Sequence, residues 1–377
     1  PAVGDVIPVN DIERVRRLMR DALDEIDRRA ELRSRDPGAS SWGSIQMPRR
    51  MLVIDGMAAF EHHHARVDRG IAVDQLARIA REGRAGGVHL VLTAQRRAEI
   101  PMEFIGLIGT RIVLRCTSAD EASLWGLDES ASTPASMPPG RCRIDGSEAQ
   151  ITWYRDTTTC ALAAAGRRAP AVPRCPTLVR AGDISGAGCG GWSLPLGLDA
   201  DALAPVAIDL SHHHAIVAGP PRSGVSTTLE LIAGSVEGAV LVRDDDPAVL
   251  GRAVDRAIDR AASGSSALLV VDEVSFALDG PDGDEFAAQL DRAATAARGL
   301  DIRLVIGGEV DSLLRCYHDV VGRIRRGRTG VMLGGDPDLH AALWHATVAP
   351  SADLPPAAGR GWLLGPGAAS RVQIAHP

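Results

Sequence analysis

Short apolar runs alternate with amphipathic stretches along the first half of the chain. Apolar residues recur at three- and four-residue steps from 11 to 32, which predicts a helix that Asp11 can cap. The continuous apolar run at 51–55 is typical of a parallel strand buried on both faces. The other predicted elements are helices at 72–82 and 119–127, strands at 88–95 and 110–115, and a hairpin from 137–144 and 149–153. This order predicts an α/β unit.

The second half repeats that order. Apolar strands at 267–271, 302–309 and 329–333 are followed by a hairpin at 358–362 and 372–374. Asp272 matches Asp55, and Glu309 matches Gln95, at nearly the same separation along the chain. Such internal similarity indicates a tandem duplication. We predict domains at 1–156 and 192–377, joined by a Pro- and Gly-rich linker at 157–191, each with a mostly parallel sheet flanked by helices.

The second domain contains a strand–turn–helix segment at 207–229. Its turn has the spacing of a phosphate-binding loop, whose backbone N–H groups would hold a β-phosphate at a helix N-terminus. The candidate nucleotide-binding residues are Gly219, Pro220, Pro221, Arg222, Ser223, Gly224, Val225, Ser226 and Thr227. Val225 stands where the loop lysine is expected, and Arg222 is a hypothetical replacement for that charge. The corresponding loop of the first domain is expected upstream of Pro1.

The strand at 267–271 ends in two carboxylates. Asp272 would hold Mg²⁺ together with Ser226, and Glu273 would polarise the attacking water. This pairing of loop and acidic strand end is more specific than either signal alone. The alternative interpretation is a vestigial loop that binds no nucleotide, because Val225 neutralises no phosphate charge.

Composition describes an ordinary globular chain with 45% hydrophobic and 24% charged residues. The net charge of −7 gives no overall basic surface for nucleic acid, and all 41 basic residues are arginine. The six cysteines form no C-x-x-C pair, which argues against zinc sites and a disulfide framework. The histidine triplets at 62–64 and 212–214 are interpreted as loop residues, since no partner has metal-ligand spacing.

Several runs of the first half resemble the FtsK/SpoIIIE family of P-loop motors. These runs are Pro-Arg-Arg-Met-Leu-Val-Ile-Asp at 48–55, Leu-Ala-Arg-Ile-Ala-Arg-Glu-Gly-Arg-Ala-Gly-Gly-Val-His-Leu at 76–90, Thr-Ala-Gln-Arg at 93–96 and Pro-Gly-Arg at 139–141. The second half is similar but more diverged. The tandem, partly degenerate copies look like the ATPases of type VII secretion.

The resemblance implies two RecA-like P-loop domains of an ATP-dependent motor. It implies ATP and Mg²⁺ as cofactors, with Asp55 as a metal carboxylate and Gln95 as a sensor of the nucleotide. Gly56 stands at the position where the family has its glutamate, and Glu309 stands at the position of the sensor residue Gln95. We therefore expect weak or absent hydrolysis in this segment.

The implied partners are secreted helical hairpins and further copies in a homo-oligomeric ring. The implied location is the cytoplasm, at the inner face of the membrane through segments outside this sequence. Two alternatives stay open. One is a DNA translocase, which the acidic charge does not favour. The other is a non-catalytic peptide-docking module.

Overall fold

The computed structural model describes residues 4–35, 48–127, 137–152, 170–184, 190–335, 337–345, 357–365 and 368–377. The chain divides into two compact units, Pro1–Pro173 and Arg174–Pro377.

The first unit contains five helices and five strands among its described residues. The helices are α1 (Ile12–Arg35), α2 (Met57–His64), α3 (Ile71–Glu82), α4 (Met102–Ile105) and α5 (Ala119–Leu124). The strands are β1 (Arg50–Ile54), β2 (Val88–Leu92), β3 (Ile112–Leu114), β4 (Arg141–Ile144) and β5 (Ser147–Gln150). β1 and β2 form a parallel pair, and β3, β4 and β5 form an antiparallel sheet.

Helix α1 forms because its apolar positions share one face and Asp11 accepts a hydrogen bond from the Arg14 N–H, 3.3 Å away. That face packs with α3 and with the inner side chains of β1 and β2 into one apolar cluster. The predicted helices at 11–32, 72–82 and 119–127 are therefore confirmed to within a few residues.

The second unit is built around one nine-stranded sheet. The strands are β6 (Ser193–Asp199), β7 (Pro205–Asp209), β8 (Ala215–Ala218), β9 (Val240–Val242), β10 (Ala267–Val271), β11 (Ile302–Gly308), β12 (Gly330–Leu333), β13 (Arg360–Gly365) and β14 (Ala368–Ile374). The helices are α6 (Val225–Gly234), α7 (Pro247–Ala262), α8 (Val274–Asp279), α9 (Gly283–Ala296), α10 (Val310–Arg315), α11 (Asp319–Arg326) and α12 (Pro337–Trp344).

The strand order of this sheet is β7-β6-β14-β13-β12-β8-β11-β10-β9. The run from β12 to β9 is parallel, and the strands on the other side join it antiparallel. Apolar clusters cover both faces, so β8, β10 and β12 are buried along their whole length. This is the α/β fold with a parallel core that the sequence predicted.

The two units repeat each other in the register of their strand pairs. β1 and β2 pair from Arg50↔Val88, and β10 and β11 pair from Ala267↔Ile302, so the aspartate after each first strand stands in the same register. The β3–β4 and β12–β13 pairs also agree, with Leu114↔Cys142 matching Leu333↔Gly361. The predicted duplication is confirmed at the level of strand register.

Two local predictions were wrong. The run at 207–218 is two strands, β7 and β8, because the histidines between them turn the chain from an antiparallel edge strand into the parallel core. The histidines at 62–64 lie in the last turn of α2 instead of a loop.

The described part of the predicted linker is folded onto its neighbours. Residues 170–173 fall in the first unit, where the Val172 carbonyl accepts a hydrogen bond from Arg14 Nε at 2.9 Å. Residues 174–184 fall in the second unit and contribute the buried side chains of Val179 and Ile184. The rest of the predicted linker before residue 170 lies outside the described residues, and the predicted domain bounds stay predictions.

The cysteines in the described ranges, at 116, 142, 175 and 316, are free thiols. In the same ranges no helix combines the length and apolar character needed to cross a membrane.

Candidate functional site

The phosphate-type loop of the second unit joins β8 to α6. β8 lies between β11 and β12, so the loop leaves from the middle of the sheet at the carboxyl edge of the parallel strands. Arg222 and Gly224 both have left-handed backbones, with φ of 66° and 105°. Helix α6 starts at Val225. The N–H groups of its first turn have no partner within the helix and face the loop, which is the arrangement that holds anions.

Two glycines of this loop are fixed by close approach. A Cβ atom at Gly219 would lie 2.4 Å from Ser223 Oγ and 2.6 Å from the Leu333 carbonyl oxygen. A Cβ at Gly224 would lie 3.2 Å from the Gly359 nitrogen. The motif glycines therefore permit a tight loop packed against β12 and the turn before β13.

Val225 is partly buried and packs against the apolar cluster beneath the loop. Its Cγ1 approaches β11 so closely that a Cβ at Gly307 would lie 3.2 Å from it. The position that carries the lysine charge in phosphate loops thus holds a partly buried apolar side chain packed against the core. Among the loop residues, Pro220, Pro221, Arg222 and Ser226 are exposed.

The loop is tied to the turn before β13. The Gly359 N–H donates to the Ser223 carbonyl at 2.8 Å. Arg360 is buried and donates to the carbonyls of Cys175 and Pro176 at 3.1 and 3.2 Å, and to Gln373 Oε1 at 3.0 Å. The sequence indicated this turn, Ala-Gly-Arg at 358–360, only as the counterpart of Pro-Gly-Arg at 139–141 in the first half. It did not indicate that the turn contacts the loop.

Asp272 follows β10 and is 6% exposed. Its Oδ1 accepts the Glu273 N–H at 2.9 Å, and its Oδ2 lies 3.8 Å from Nε of Arg243. Arg243 also pairs with Glu230 of α6. Arg243 was not predictable from the sequence, since an arginine after a short strand carries no motif.

Glu273 is exposed and starts α8 with a left-handed backbone at φ 51°. This conformation strains a side-chain-bearing residue, and such strain clusters at functional sites. Glu309 is exposed at the carboxyl end of β11. The loop, Asp272 and Glu309 follow β8, β10 and β11, which are parallel neighbours, so all three stand at one edge of the sheet.

In the first unit, Asp55 and Gln95 stand at the matching strand ends. The Thr93 hydroxyl donates to Asp55 Oδ1 at 2.7 Å and accepts the Gly56 N–H at 2.8 Å. Gly56 starts α2 in the left-handed region with φ 88°, the conformation that Glu273 adopts in the second unit. Gly56 adopts this conformation without the backbone strain that Glu273 carries. Gln95 is exposed, and its N–H donates to Glu99 Oε2 at 2.9 Å.

The second site fits part of a nucleotide and its metal. The loop backbone offers donors for phosphate, and Asp272 and Ser226 offer oxygens for Mg²⁺. The positive charge of the loop lysine is missing. Arg243 lies near Asp272, so a metal ion would compete with Arg243 for the Asp272 carboxylate. ATP and Mg²⁺ would therefore find backbone donors and metal-binding oxygens, but less positive charge than a lysine-containing loop supplies.

The histidine triplets do not form a metal centre in the part of the chain that the structure describes, where no three His, Cys, Asp or Glu side chains converge. Buried His64 bonds through Nε2 to the Val9 carbonyl at 2.9 Å. His214 Nδ1 accepts the Leu304 N–H at 3.2 Å, and burial lowers its pKa to about 4. Both serve the packing of their units.

Comparison with known proteins gives relatives in one group. EccC, an ESX secretion system protein of Thermomonospora curvata, is 26% identical over 268 residues, which cover 63% of this chain and 20% of that protein. EccC4, an ESX-4 secretion system protein of Mycobacterium tuberculosis, is 30% identical over 227 residues, covering 57% of this chain and 17% of that protein. The matches thus span a fifth or less of these relatives. No family model matches the chain.

Solved structures agree on the fold. ATPases 2 and 3 of Thermomonospora curvata EccC, in complex with a signal sequence peptide, superpose with a TM-score of 0.70 at 20% identity, over 100% of this chain and 79% of that one. ATPases 2 and 3 of EssC from Geobacillus thermodenitrificans give 0.65 at 16% identity, over 99% and 81%.

The fold of the chain is therefore that of the tandem ATPases 2 and 3 of EccC and EssC. In sequence the chain is similar to EccC proteins of ESX secretion systems.

Proposed function

We propose that this chain is part of an ATP-dependent motor of type VII secretion, in which the second domain has a weak nucleotide site with a docking, regulatory or ring-forming role. The observation that supports this most directly is the packing of Val225. The loop keeps the backbone shape of a phosphate site, while the side chain at the lysine position lies against β11. The loop therefore keeps the backbone shape of a phosphate site but has lost the positive charge of its lysine.

The proposed partners follow from the relatives. The EccC structure holds a signal sequence peptide, and we propose that the present chain binds helical-hairpin substrates through similar export signals. We also propose that the full protein forms a homo-oligomeric ring in the cytoplasm and reaches the membrane through segments outside this chain.

Calorimetry with ATP and Mg²⁺ on the 377-residue chain tests the weak site. A lysine bond to phosphate contributes about 1.5–3 kcal/mol, so Val225→Lys should tighten binding about 10- to 150-fold. Val6→Lys, which adds a lysine at an exposed residue of the first unit, should leave affinity unchanged. Arg222→Ala should weaken binding if this arginine replaces the lysine.

The outcomes separate the roles. Binding by the wild type supports a working site of reduced strength. A silent wild type rescued by Val225→Lys supports a docking or regulatory role, with the fold intact. If neither binds and Val225→Lys keeps the wild-type melting temperature, the loop is only scaffold and the nucleotide part of the proposal is wrong.

The DNA alternative would use the dense basic cluster of the second domain, Arg-Ile-Arg-Arg-Gly-Arg at 323–328. Arg323 pairs with Asp291. Arg325 donates to the carbonyls of Leu343 and Ala342 at 3.0 and 3.2 Å. Arg323 and Arg325 therefore serve the second unit internally, whereas Arg326 and Arg328 are exposed. Tight duplex binding at low salt that weakens steeply as salt rises would favour the translocase instead. Capture of a secreted hairpin independently of ATP would favour the pure docking module.

A further inference from the structure

The buried aspartate of the second unit faces an arginine on the side where a metal ion is expected. Asp272 is 6% exposed, and a carboxylate this deeply buried needs a partner for its charge. One oxygen, Oδ1, is engaged by the Glu273 N–H at 2.9 Å. The other oxygen, Oδ2, lies 3.8 Å from Nε of Arg243. The oxygen that is left for a cation therefore already has a cationic neighbour.

The position of Arg243 is set by the sheet. β9 and β10 are parallel neighbours in which Val242 pairs with Val271, and the Asp272 N–H donates to the Val242 carbonyl at 2.9 Å. Arg243 and Asp272 are the next residue on each strand, so both leave the sheet side by side at its carboxyl edge. The backbone therefore holds the guanidinium of Arg243 next to the carboxylate.

Arg243 also reaches the helix that follows the phosphate-type loop. Its Nη2 pairs with Glu230 of α6. Glu230 stands four residues after Ser226, so both residues share one face of that helix. The guanidinium thus lies between Asp272 and the helix face that carries Ser226, which are the two predicted ligands of Mg²⁺. Arginine is suited to this position because it is always charged and offers five N–H donors.

The first unit treats its matching aspartate differently. The Thr93 hydroxyl, a neutral group, donates to Asp55 Oδ1 at 2.7 Å. By strand register Thr93 corresponds to Gly307, which has no side chain to donate. A Cβ at Gly307 would lie 2.4 Å from Leu229 Cδ1, so α6 leaves no room for a hydroxyl there. The second unit has thus lost the neutral donor, and its aspartate has an arginine as neighbour.

We propose that Arg243 takes the place of the divalent metal in the second unit, so that the phosphate-type loop binds the phosphates of a nucleotide without Mg²⁺. A divalent ion at Asp272 would have to displace the guanidinium or lie beside a like charge. Arg243 also restores one positive charge to a site that lacks the loop lysine at Val225. This inference deepens the function proposed for the second domain and rests on it only where nucleotide binding is measured.

Binding of Mn²⁺ to the 377-residue chain, without nucleotide, tests the exclusion of metal. Free Mn²⁺ is followed by its electron paramagnetic resonance signal. We expect Arg243→Gln to bind Mn²⁺ about tenfold more tightly than the wild type, because Asp272 and Glu230 lose their cationic neighbour. Arg243→Lys keeps the charge and should exclude Mn²⁺ as the wild type does. Arg292→Gln is the matched control, since Arg292 is a half-exposed partner of Asp255 at 2.8 Å, and it should gain nothing.

A double variant locates the metal. Adding Asp272→Asn to Arg243→Gln should abolish the gain in Mn²⁺ binding. The inference is overturned if the wild type binds Mn²⁺ as tightly as Arg243→Gln does, or if the gain survives Asp272→Asn. It is also overturned if Arg243→Gln keeps the wild-type melting temperature and gains no Mn²⁺ binding.

Calorimetry with ATP, in EDTA and in Mg²⁺, adds a measurement that needs no variant. The affinity of the wild type should differ by less than about threefold between the two conditions, whereas Arg243→Gln should bind ATP about tenfold more tightly with Mg²⁺ than in EDTA. A wild type that binds ATP only with Mg²⁺ overturns this inference and supports the proposed nucleotide site. A chain that binds no ATP in either condition overturns the nucleotide site, and the Mn²⁺ result then decides whether Arg243 excludes the metal.

Discussion

The buried pair of Glu25 and Arg29 in α1 gives a sharp test of what the first unit's sequence signature does. Arg29 is fully buried and donates to Glu25 Oε1 at 2.5 Å, to the Gly86 carbonyl at 3.0 Å and to the Pro48 carbonyl at 2.8 Å. These bonds join α1 to the entry of β1 and to the turn before β2. The hydrogen bonds from Arg28 and Arg29 lower the pKa of Glu25 to about 2.

Glu25→Gln removes the charge that compensates the buried guanidinium. Breaking a buried pair on one side costs about 3–5 kcal/mol. Since Arg28 keeps contact with the solvent and shares the carboxylate, we take the lower value, about 3 kcal/mol. For a unit of this size that lowers the melting temperature by about 6–12 °C.

The matched control is Glu31→Gln on the same helix. Glu31 pairs with Arg35 at 2.5 Å, but both side chains are more than half exposed, so the loss should stay below about 0.5 kcal/mol. The assay is thermal melting in which hydrogen exchange of the α1 amides is the readout. This readout reports unfolding of the first unit separately from that of the second. The reasoning is refuted if Glu25→Gln lowers the melting temperature no more than Glu31→Gln does. Replacing the pair together, Glu25→Leu with Arg29→Met, should recover much of the stability.

Three further expectations follow from the second unit and its counterpart. Glu273→Gly should raise the free energy of unfolding by about 0.5–1 kcal/mol by relieving a left-handed backbone, and Gly56→Glu should lower it, as chemical denaturation of each unit will measure. The pKa of His214 is lowered to about 4, mainly because burial disfavours its charged form. The folded state therefore resists protonation, so stability is full above about pH 6.5 and falls by about 3 kcal/mol down to about pH 4. His214→Asn should flatten this slope in denaturation at a series of pH values, and an unchanged slope would assign it to other groups. Gly307→Ala should lower the free energy of unfolding by about 1–3 kcal/mol, because its Cβ would lie 2.4 Å from a side chain of α6. Gly322→Ala is the control and should not lower it, because its Cβ would meet no neighbouring atom within 4 Å. Equal melting temperatures of the two variants would contradict the packing argument.

Much of the fold was predictable because its signals are local. Apolar runs predict strands, three- and four-residue steps predict helices, and the repeated order of elements predicts two copies of one unit. The exact register was not predictable in this way, yet Asp55 and Asp272 already marked equivalent strand ends. The failures at 207–218 and 62–64 share a cause, since histidine has no strong preference that would separate a strand break from a helix end.

The candidate site was predictable as a list and not as an arrangement. The spacing from Gly219 to Ser226 identified the loop, and the valine at the lysine position was plain in the sequence. The contact of Ser223 with Gly359 and the approach of Arg243 to Asp272 join residues that are far apart in the chain. No sequence period connects such residues, because their contact depends on how strands are ordered across the sheet.

The sequence by itself determined the elements, their duplication and the missing lysine charge, because backbone preference and side-chain chemistry are properties of single residues and short patterns. Only the tertiary structure decided that Val225 packs against the core, that Glu273 carries backbone strain which Gly56 avoids, and that five apolar side chains of β1, β2 and β3 are exposed. Burial and strain are properties of neighbours brought together in space, and the chain order alone does not contain them.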